Sequence, residues 1–272
     1  MNDLLNIVAL GDMGNGDTDQ YKVAEGLLKL DKKIGIDFVL GLGDNIYPDG
    51  VESINDNRFN EQFENPYSIL PKNIDFYMTL GNHDYRKRIA PQINYSLRSS
   101  RWNMPGRYYQ FTKKIKDCSI DFFAIDTNFN NMSFDEISIQ EKWLKKNIKE
   151  SKSKWIIVFG HHPWKSSGYH GDSKGIIDRF YKDTLSNKVD ILLNGHDHDK
   201  QHMIYSNINL IITGTGCQIR QINKESRINY PYLQFFEESL GYCLLQINKN
   251  KIIFYFLDEI NNLEYAYEIE KK

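Results

Sequence analysis

Cysteine is scarce: the 272 residues hold only Cys118, Cys217 and Cys243, widely spaced and without a CxxC pair. They fit buried free thiols better than a disulfide framework or a zinc site, although one pair could bridge. Long hydrophobic runs are missing too. No apolar stretch approaches the roughly 18 residues that a membrane span requires. The formal charge is −2, so nothing argues for nucleic acid or an anionic membrane as a partner. The short apolar run at 4–10 lacks a basic flank and passes directly into Gly11-Asp12. It reads as a first core strand and not as a signal peptide, and the expectation is a soluble, cytoplasmic protein. There is no low-complexity tract, solenoid period or clear linker, so one domain is expected over residues 1–272.

Apolar strands alternate with helical patterns through the first three quarters. Ile7-Val8-Ala9-Leu10 is followed by a helix carrying Val23, Leu27, Leu28 and Leu30 on one face, and then by a strand at 38–42. Further strands are expected at 76–80, 108–112, 120–125, 155–159 and 189–193, with helices at 58–63, 139–148 and 176–185. Residues 85–106, basic and aromatic, are expected to form an exposed loop region. This order is the grammar of a parallel sheet covered by helices. From residue 202 onward, apolar runs joined by short turns such as Asn248-Lys249-Asn250 predict antiparallel strands.

Five of the apolar strands each end in a glycine turn bearing a side chain able to bind metal. They are Gly11-Asp12, Gly43-Asp44, Gly81-Asn82-His83, Gly160-His161 and Gly195-His196-Asp197-His198. Ligands of an open α/β sheet gather beyond the carboxyl ends of its strands, so the five turns are expected to share one crevice. Singly, each turn is unremarkable; the set has no competing assignment. Asp, Asn and His, with Tyr47 three residues after Asp44 and no Cys, suit hard to borderline ions such as Fe, Mn or Zn. The donors exceed the needs of one ion, and a carboxylate such as Asp44 can bridge two. Paired ions are a standard device for activating water and clamping a phosphoryl group.

Together Gly11-Asp12-Met13-Gly14, Gly43-Asp44-Asn45-Ile46-Tyr47, Gly81-Asn82-His83-Asp84, Gly160-His161-His162 and Gly195-His196-Asp197-His198 resemble the five metal-binding blocks of the purple acid phosphatases, within the calcineurin-like metallophosphoesterases. The likeness is strongest to the small mammalian type and runs from about Leu5 to the end of the chain. The wider superfamily usually has a His where Gly14 stands; here Tyr47 would supply the missing ligand. The resemblance implies an α/β sandwich of two mixed sheets flanked by helices, with an antiparallel C-terminal part. It further implies a ferric ion held by Asp12, Asp44, Tyr47 and His198. A divalent Fe, Mn or Zn would be held by Asp44, Asn82, His161 and His196, and neutral Asn82 would leave the pair a net positive charge for a phosphate dianion. Phenolate-to-iron charge transfer would colour the protein.

By the same resemblance, metal-bound hydroxide would attack phosphorus in a phosphate monoester. His83, and His170 nine residues beyond His161, would bind the phosphate and protonate the leaving alkoxide. His162 is expected to pack or to sit at the cleft rim, and His202 to be structural. Asp84 and Asp197 are expected to orient neighbouring His ligands as hydrogen-bond acceptors. Residues 128–138 are short where the mammalian enzymes carry a protease-sensitive loop, and the cysteines flanking that loop have no counterpart, which argues against regulation by cleavage. Expected substrates are phosphorylated small molecules or phosphopeptides. Two alternatives stay open: a divalent-metal phosphodiesterase or nucleotide pyrophosphatase on the same fold, and a phosphatase-like scaffold without catalysis.

Overall fold

The computed structural model describes residues 3–185, 188–222 and 230–271. Strand β1 (Leu5–Leu10) is buried along its whole length because layers cover both of its faces. Val8 and Leu10 enter one core, while Ile7 and Ala9 enter another. In chain order there follow α1 (Thr18–Ile34), β2 (Phe38–Gly41), β3 (Asp75–Met78), α2 (Ala90–Tyr95), β4 (Trp102–Asn103), β5 (Tyr109–Ile115), β6 (Cys118–Ala124), α3 (Phe134–Glu150), β7 (Trp155–Phe159) and α4 (Gly175–Thr184). Then come β8 (Ile191–Asn194), β9 (Lys200–Tyr205), β10 (Ile208–Thr213), β11 (Leu233–Glu237), β12 (Gly241–Ile247), β13 (Lys251–Asp258) and β14 (Leu263–Glu270).

Two seven-stranded mixed sheets lie face to face, in the orders β14-β13-β12-β1-β2-β3-β4 and β11-β9-β10-β8-β7-β6-β5. Phe38, Leu40, Leu245 and Phe254 of the first meet Phe122, Trp155, Ile157 and Leu193 of the second in the central core. Outer cores complete a four-layer α/β sandwich: Val23, Leu27 and Leu30 of α1 cover the first sheet, and Ile137, Leu144 and Phe180 of α3 and α4 cover the second. Those α1 residues recur at the spacing of one helical face. The helix opens on Asp17, whose carboxylate accepts from the N–H groups of Asp19 and Gln20, and ends at Gly35, where φ is +73°. A reciprocal capping box between Ser133 and Glu136 opens α3. It therefore starts well before the expected 139.

One other expectation needs correction. Residues 85–106 are not an exposed loop region: α2 and β4 lie there, and Tyr95, Arg101 and Trp102 are buried. Tyr95 stacks on Phe59 at 3.7 Å, and the Arg101 guanidinium donates to the carbonyls of Tyr67 and Leu70. The C-terminal strands pair antiparallel with one another, as expected. They divide between the sheets, and β10 also lies parallel to the earlier β8. All three cysteines are free and buried, as expected.

His202 is structural. It lies in the central layer, its ring nitrogens bonded to the Tyr265 hydroxyl (3.0 Å) and Asn209 Oδ1 (3.1 Å). Burial pulls its pKa down to about 4, against a weaker opposing effect of the Asn209 bond. The unfolded chain, with an ordinary histidine near 6.5, therefore takes up the proton first as the pH falls. Stability is complete above about 6.5 and declines between about 6.5 and 4, by roughly 3 kcal/mol. Denaturant titrations from pH 7 to pH 4 should show that decline in the native chain and a shallower one in His202→Asn.

Candidate metal centre

The five glycine turns do converge, but they do not leave one sheet. Three follow β1, β2 and β3 of the first sheet, and two follow β7 and β8 of the second. The parallel halves of both sheets present their carboxyl ends at the same edge of the sandwich. Backbone bonds stitch the turns together: Gly11 N–H to Thr213 O (2.9 Å), Asp12 N–H to Gly43 O (3.0 Å) and Gly195 N–H to His161 O (3.0 Å). Asp12, Asp44 and His196 all sit at positive φ (54°, 51° and 71°), a conformation that costs non-glycine residues energy and clusters at functional sites. Two glycines make the close approach possible. A Cβ on Gly81 would stand 2.1 Å from Asp44 Oδ1, and one on Gly14 would stand 1.7 Å from Asn45 O. A His at position 14 is thus incompatible with this loop, whose Tyr47 N–H donates to Gly14 O at 2.7 Å.

Two groups of donor atoms result. Tyr47 Oη lies 2.9 Å from Asp12 Oδ1, 3.1 Å from Asp44 Oδ2 and 3.3 Å from His198 Nε2. His198 Nε2 and Asp12 Oδ1 are 3.3 Å apart. In the second group, His161 Nε2 lies 3.4 Å from Asp44 Oδ2, 3.0 Å from Asn82 Oδ1 and 3.1 Å from His196 Nδ1. Donors about 2.0–2.2 Å from a common ion and at right angles are separated by roughly 3 Å, so each group matches one coordination shell. Asp44 Oδ2 belongs to both. All seven residues expected to ligate are therefore brought together around Asp44 Oδ2.

The electrostatics also fit cations. Burial, then the charges of Asp12 and Asp84, push the Asp44 carboxyl well above its ordinary range. Burial, then Asp12 and Asp44, push the Tyr47 phenol up as well. Acidic groups packed this closely oppose one another's ionisation, and positive ions between them would reverse the penalty. His161 Nδ1 faces Leu42 O at 2.9 Å, which fixes the proton there and leaves the Nε2 lone pair toward Asn82 Oδ1. Two facing lone pairs call for a positive charge between them. Burial holds His161 and His196 below the ordinary histidine pKa, in the neutral form that a metal needs.

The two expected catalytic histidines flank these donors. His83 tilts over the Tyr47 ring at 4.5 Å, with Nδ1 on Pro48 O (2.6 Å) and Nε2 3.9 Å from Asp44 Oδ2. His170 stacks on His196 at 3.9 Å, and Asp197 Oδ1 takes both its Nδ1–H (2.7 Å) and its backbone N–H (3.0 Å). Asp197 thus orients a histidine, but it is His170 and not one of the expected metal ligands. Asp84 does not: its carboxylate gathers the N–H groups of Asn45, Ile46 and Gly81 and the Gln92 amide, tying two turns together.

A sixth strand end was not foreseen. Beyond β6, Thr127 Oγ1 lies 2.8 Å from His162 Nδ1, and Asn128 donates to Leu80 O. His162 packs against His161 and His196 (4.9 and 4.5 Å), with a ring nitrogen close enough to share an ion with theirs. The turn carries no glycine, and the run Ile125-Asp126-Thr127 was its only signal.

Comparison with known proteins agrees with this geometry. The family model for calcineurin-like phosphoesterases matches residues 5–200. Pig tartrate-resistant acid phosphatase type 5 is 31% identical over 266 residues, covering 88% of this chain and 78% of that protein. The chain belongs to the calcineurin-like phosphoesterases, in their purple acid phosphatase branch of metal-dependent phosphatases. Purple acid phosphatase 7 of Arabidopsis thaliana is 28% identical over 98% of this chain and 87% of that one. Among solved structures, GAP50, described as the anchor in the inner membrane complex of Plasmodium, superposes with a TM-score of 0.86 at 22% identity, over the whole of this chain and 90% of that one. The purple acid phosphatase PPD1 from yellow lupin gives 0.74 at 14% identity, over 99% of this chain and 54% of that one. No helix among the described residues is long and apolar enough to cross a membrane.

Proposed function

We propose that this phosphatase hydrolyses phosphate monoesters at acid pH through a binuclear centre of one ferric ion and one divalent Fe, Mn or Zn. Asp12, Asp44, Tyr47 and His198 would hold the first, and Asp44, Asn82, His161 and His196 the second. The observation that carries this reading is the sharing of Asp44 Oδ2 by two donor groups, each spaced as one coordination shell. Bound there, the ions would lower the pKa of the attacking water and neutralise phosphoryl charge.

The chain's own groups do the rest. Tyr47 supplies a phenolate, which favours a ferric over a divalent partner in the first group. Asn82 donates without adding negative charge that would repel the phosphate. Asp197 holds His170 by two bonds, leaving Nε2 turned outward as the proton donor to the leaving oxygen. His83 sits over the opposite side of the donors, where its Nε2 can reach a phosphate oxygen.

Turnover separates this reading from its rivals. Phenyl phosphate should be cleaved with an acidic optimum, and bis(p-nitrophenyl) phosphate at least tenfold more slowly. A diester preference or an optimum well above pH 8 would favour the divalent phosphodiesterase or nucleotide pyrophosphatase. The likeness to GAP50 raises the scaffold alternative, since that protein is described as an anchor. A chain that holds metal but cleaves no phosphoester would support it.

A further inference from the structure

Asp197 divides its two oxygens. Oδ1 takes the ring and backbone N–H groups of His170, and Oδ2 accepts from the Ser166 hydroxyl, on the loop between β7 and α4. Ser166 is 2% exposed, and its oxygen has no lone pair to spare. It accepts from Gly168 N–H at 2.9 Å and from the Gln201 amide at 3.0 Å, so the hydroxyl proton has one direction left, toward Asp197. Gln201 is fully buried on β9, where its backbone pairs with Ile212 of β10 and Phe236 of β11. Its Nε2 also donates to Asp199 Oδ1 at 2.7 Å, and its Oε1 accepts both the N–H and the hydroxyl of Ser167 at 2.9 Å. Turning this amide over would set its oxygen against the Asp199 carboxylate, so one orientation is enforced. The loop comes this close because of Gly168, where a Cβ would stand 2.6 Å from Asp197 Cγ and 2.7 Å from Asp199 Oδ2.

A carboxylate held at one oxygen alone can turn, and the imidazole it carries turns with it. Bonds at both oxygens remove that freedom, and hydrogen bonds to an ionised carboxylate are the strong kind. We propose that Ser166 and Gln201 are positioning residues for His170: Gln201, fixed to the second sheet, aims the Ser166 hydroxyl, which clamps Asp197 so that His170 keeps its Nδ1–H inward and Nε2 toward the leaving oxygen. The inference rests on the phosphatase reading above, in which His170 gives that oxygen a proton. The side chains of Ser166 and Gln201 bond Asp197, Asp199, Ser167 and Gly168 and not the metal donors. Their loss should therefore show in proton donation and not in metal binding. A proton donor shifted by an ångström forfeits much of its advantage, and the forfeit is largest where the leaving group most needs the proton.

The test compares wild type, Ser166→Ala, Gln201→Leu, His170→Ala and Ser166→Ala combined with His170→Ala, on β-glycerophosphate and p-nitrophenyl phosphate, with metal content measured for each. Ser166→Ala should lower kcat on the alkyl ester by about 10–100-fold, keep KM within about threefold and lose less on the aryl ester. Gln201→Leu should give a smaller loss of the same pattern, and both should keep the wild-type metal content. In the His170→Ala background, Ser166→Ala should cost nothing further, because a residue that acts through His170 has nothing left to position. Equal losses on the two esters, a further loss in the combined variant, a fall in metal content or no loss at all would each overturn the proposal. If the metal-loaded wild type cleaves neither ester, the phosphatase reading fails separately. Deuterium exchange at the His170 amide then decides: exchange about tenfold faster in Ser166→Ala upholds the clamp, and equal exchange overturns it.

Discussion

Asp44→Asn should leave a folded protein that has lost at least about a thousandfold in activity and holds about one metal per chain or fewer. The argument starts from the two jobs of this carboxylate. Asp44 Oδ2 is the atom common to both donor groups, so its loss weakens both at once. Oδ1 accepts the His83 N–H at 2.8 Å, a bond that the asparagine carbonyl can keep, and the turn is expected to persist. Asp44 is also buried and raised in pKa by desolvation and by Asp12 and Asp84. The neutral variant removes that repulsion, so the metal-free protein should melt at the same temperature as wild type or higher. Metal analysis and thermal melts with and without a chelator check both statements. A variant that retains two metals per chain and most of its activity would exclude Asp44 as the bridge.

His170→Ala should lower kcat on an alkyl phosphate by about 10²–10⁴-fold and leave metal content unchanged. The loss should shrink for p-nitrophenyl phosphate, whose leaving group needs little protonation. That dependence on leaving group is what distinguishes a proton donor from a group that only binds phosphate. Asp197→Asn should give an intermediate loss of the same pattern, because the amide can no longer accept the His170 ring proton as a carboxylate does. Equal losses on both substrates would assign His170 to phosphate binding. A fall in metal content would show that its stacking on His196 supports the second donor group instead.

Most of this candidate site could be read from the sequence, because each of the five turns combines an apolar strand, a glycine and a side chain able to bind metal. Those three signals are local and survive in a single sequence. The way the turns meet is not local: their distribution over two sheets follows from strand pairing across the chain, as when β12 returns to lie beside β1. The turn after β6 lacked a glycine, so Thr127 and its hold on His162 went unread. Residues 85–106 looked solvated because of their charges, yet Arg101 is buried with its guanidinium on two carbonyls and Trp102 donates to Gln92 O. Charge count cannot reveal such long-range partners. Arg220, whose Nη1 lies 3.4 Å from His170 Nε2, escaped notice for the same reason, standing fifty residues away along the chain.

A visible absorption spectrum of the purified protein, taken with metal analysis, tests the ferric–phenolate assignment most directly. The expected result is a broad band in the purple region with about two metals per chain. Tyr47→Phe should lose the band, since Tyr47 Oη is the one phenol among the donor atoms of the centre. A colourless protein holding two metals, or a band that persists in Tyr47→Phe, would contradict a ferric ion bound to Tyr47.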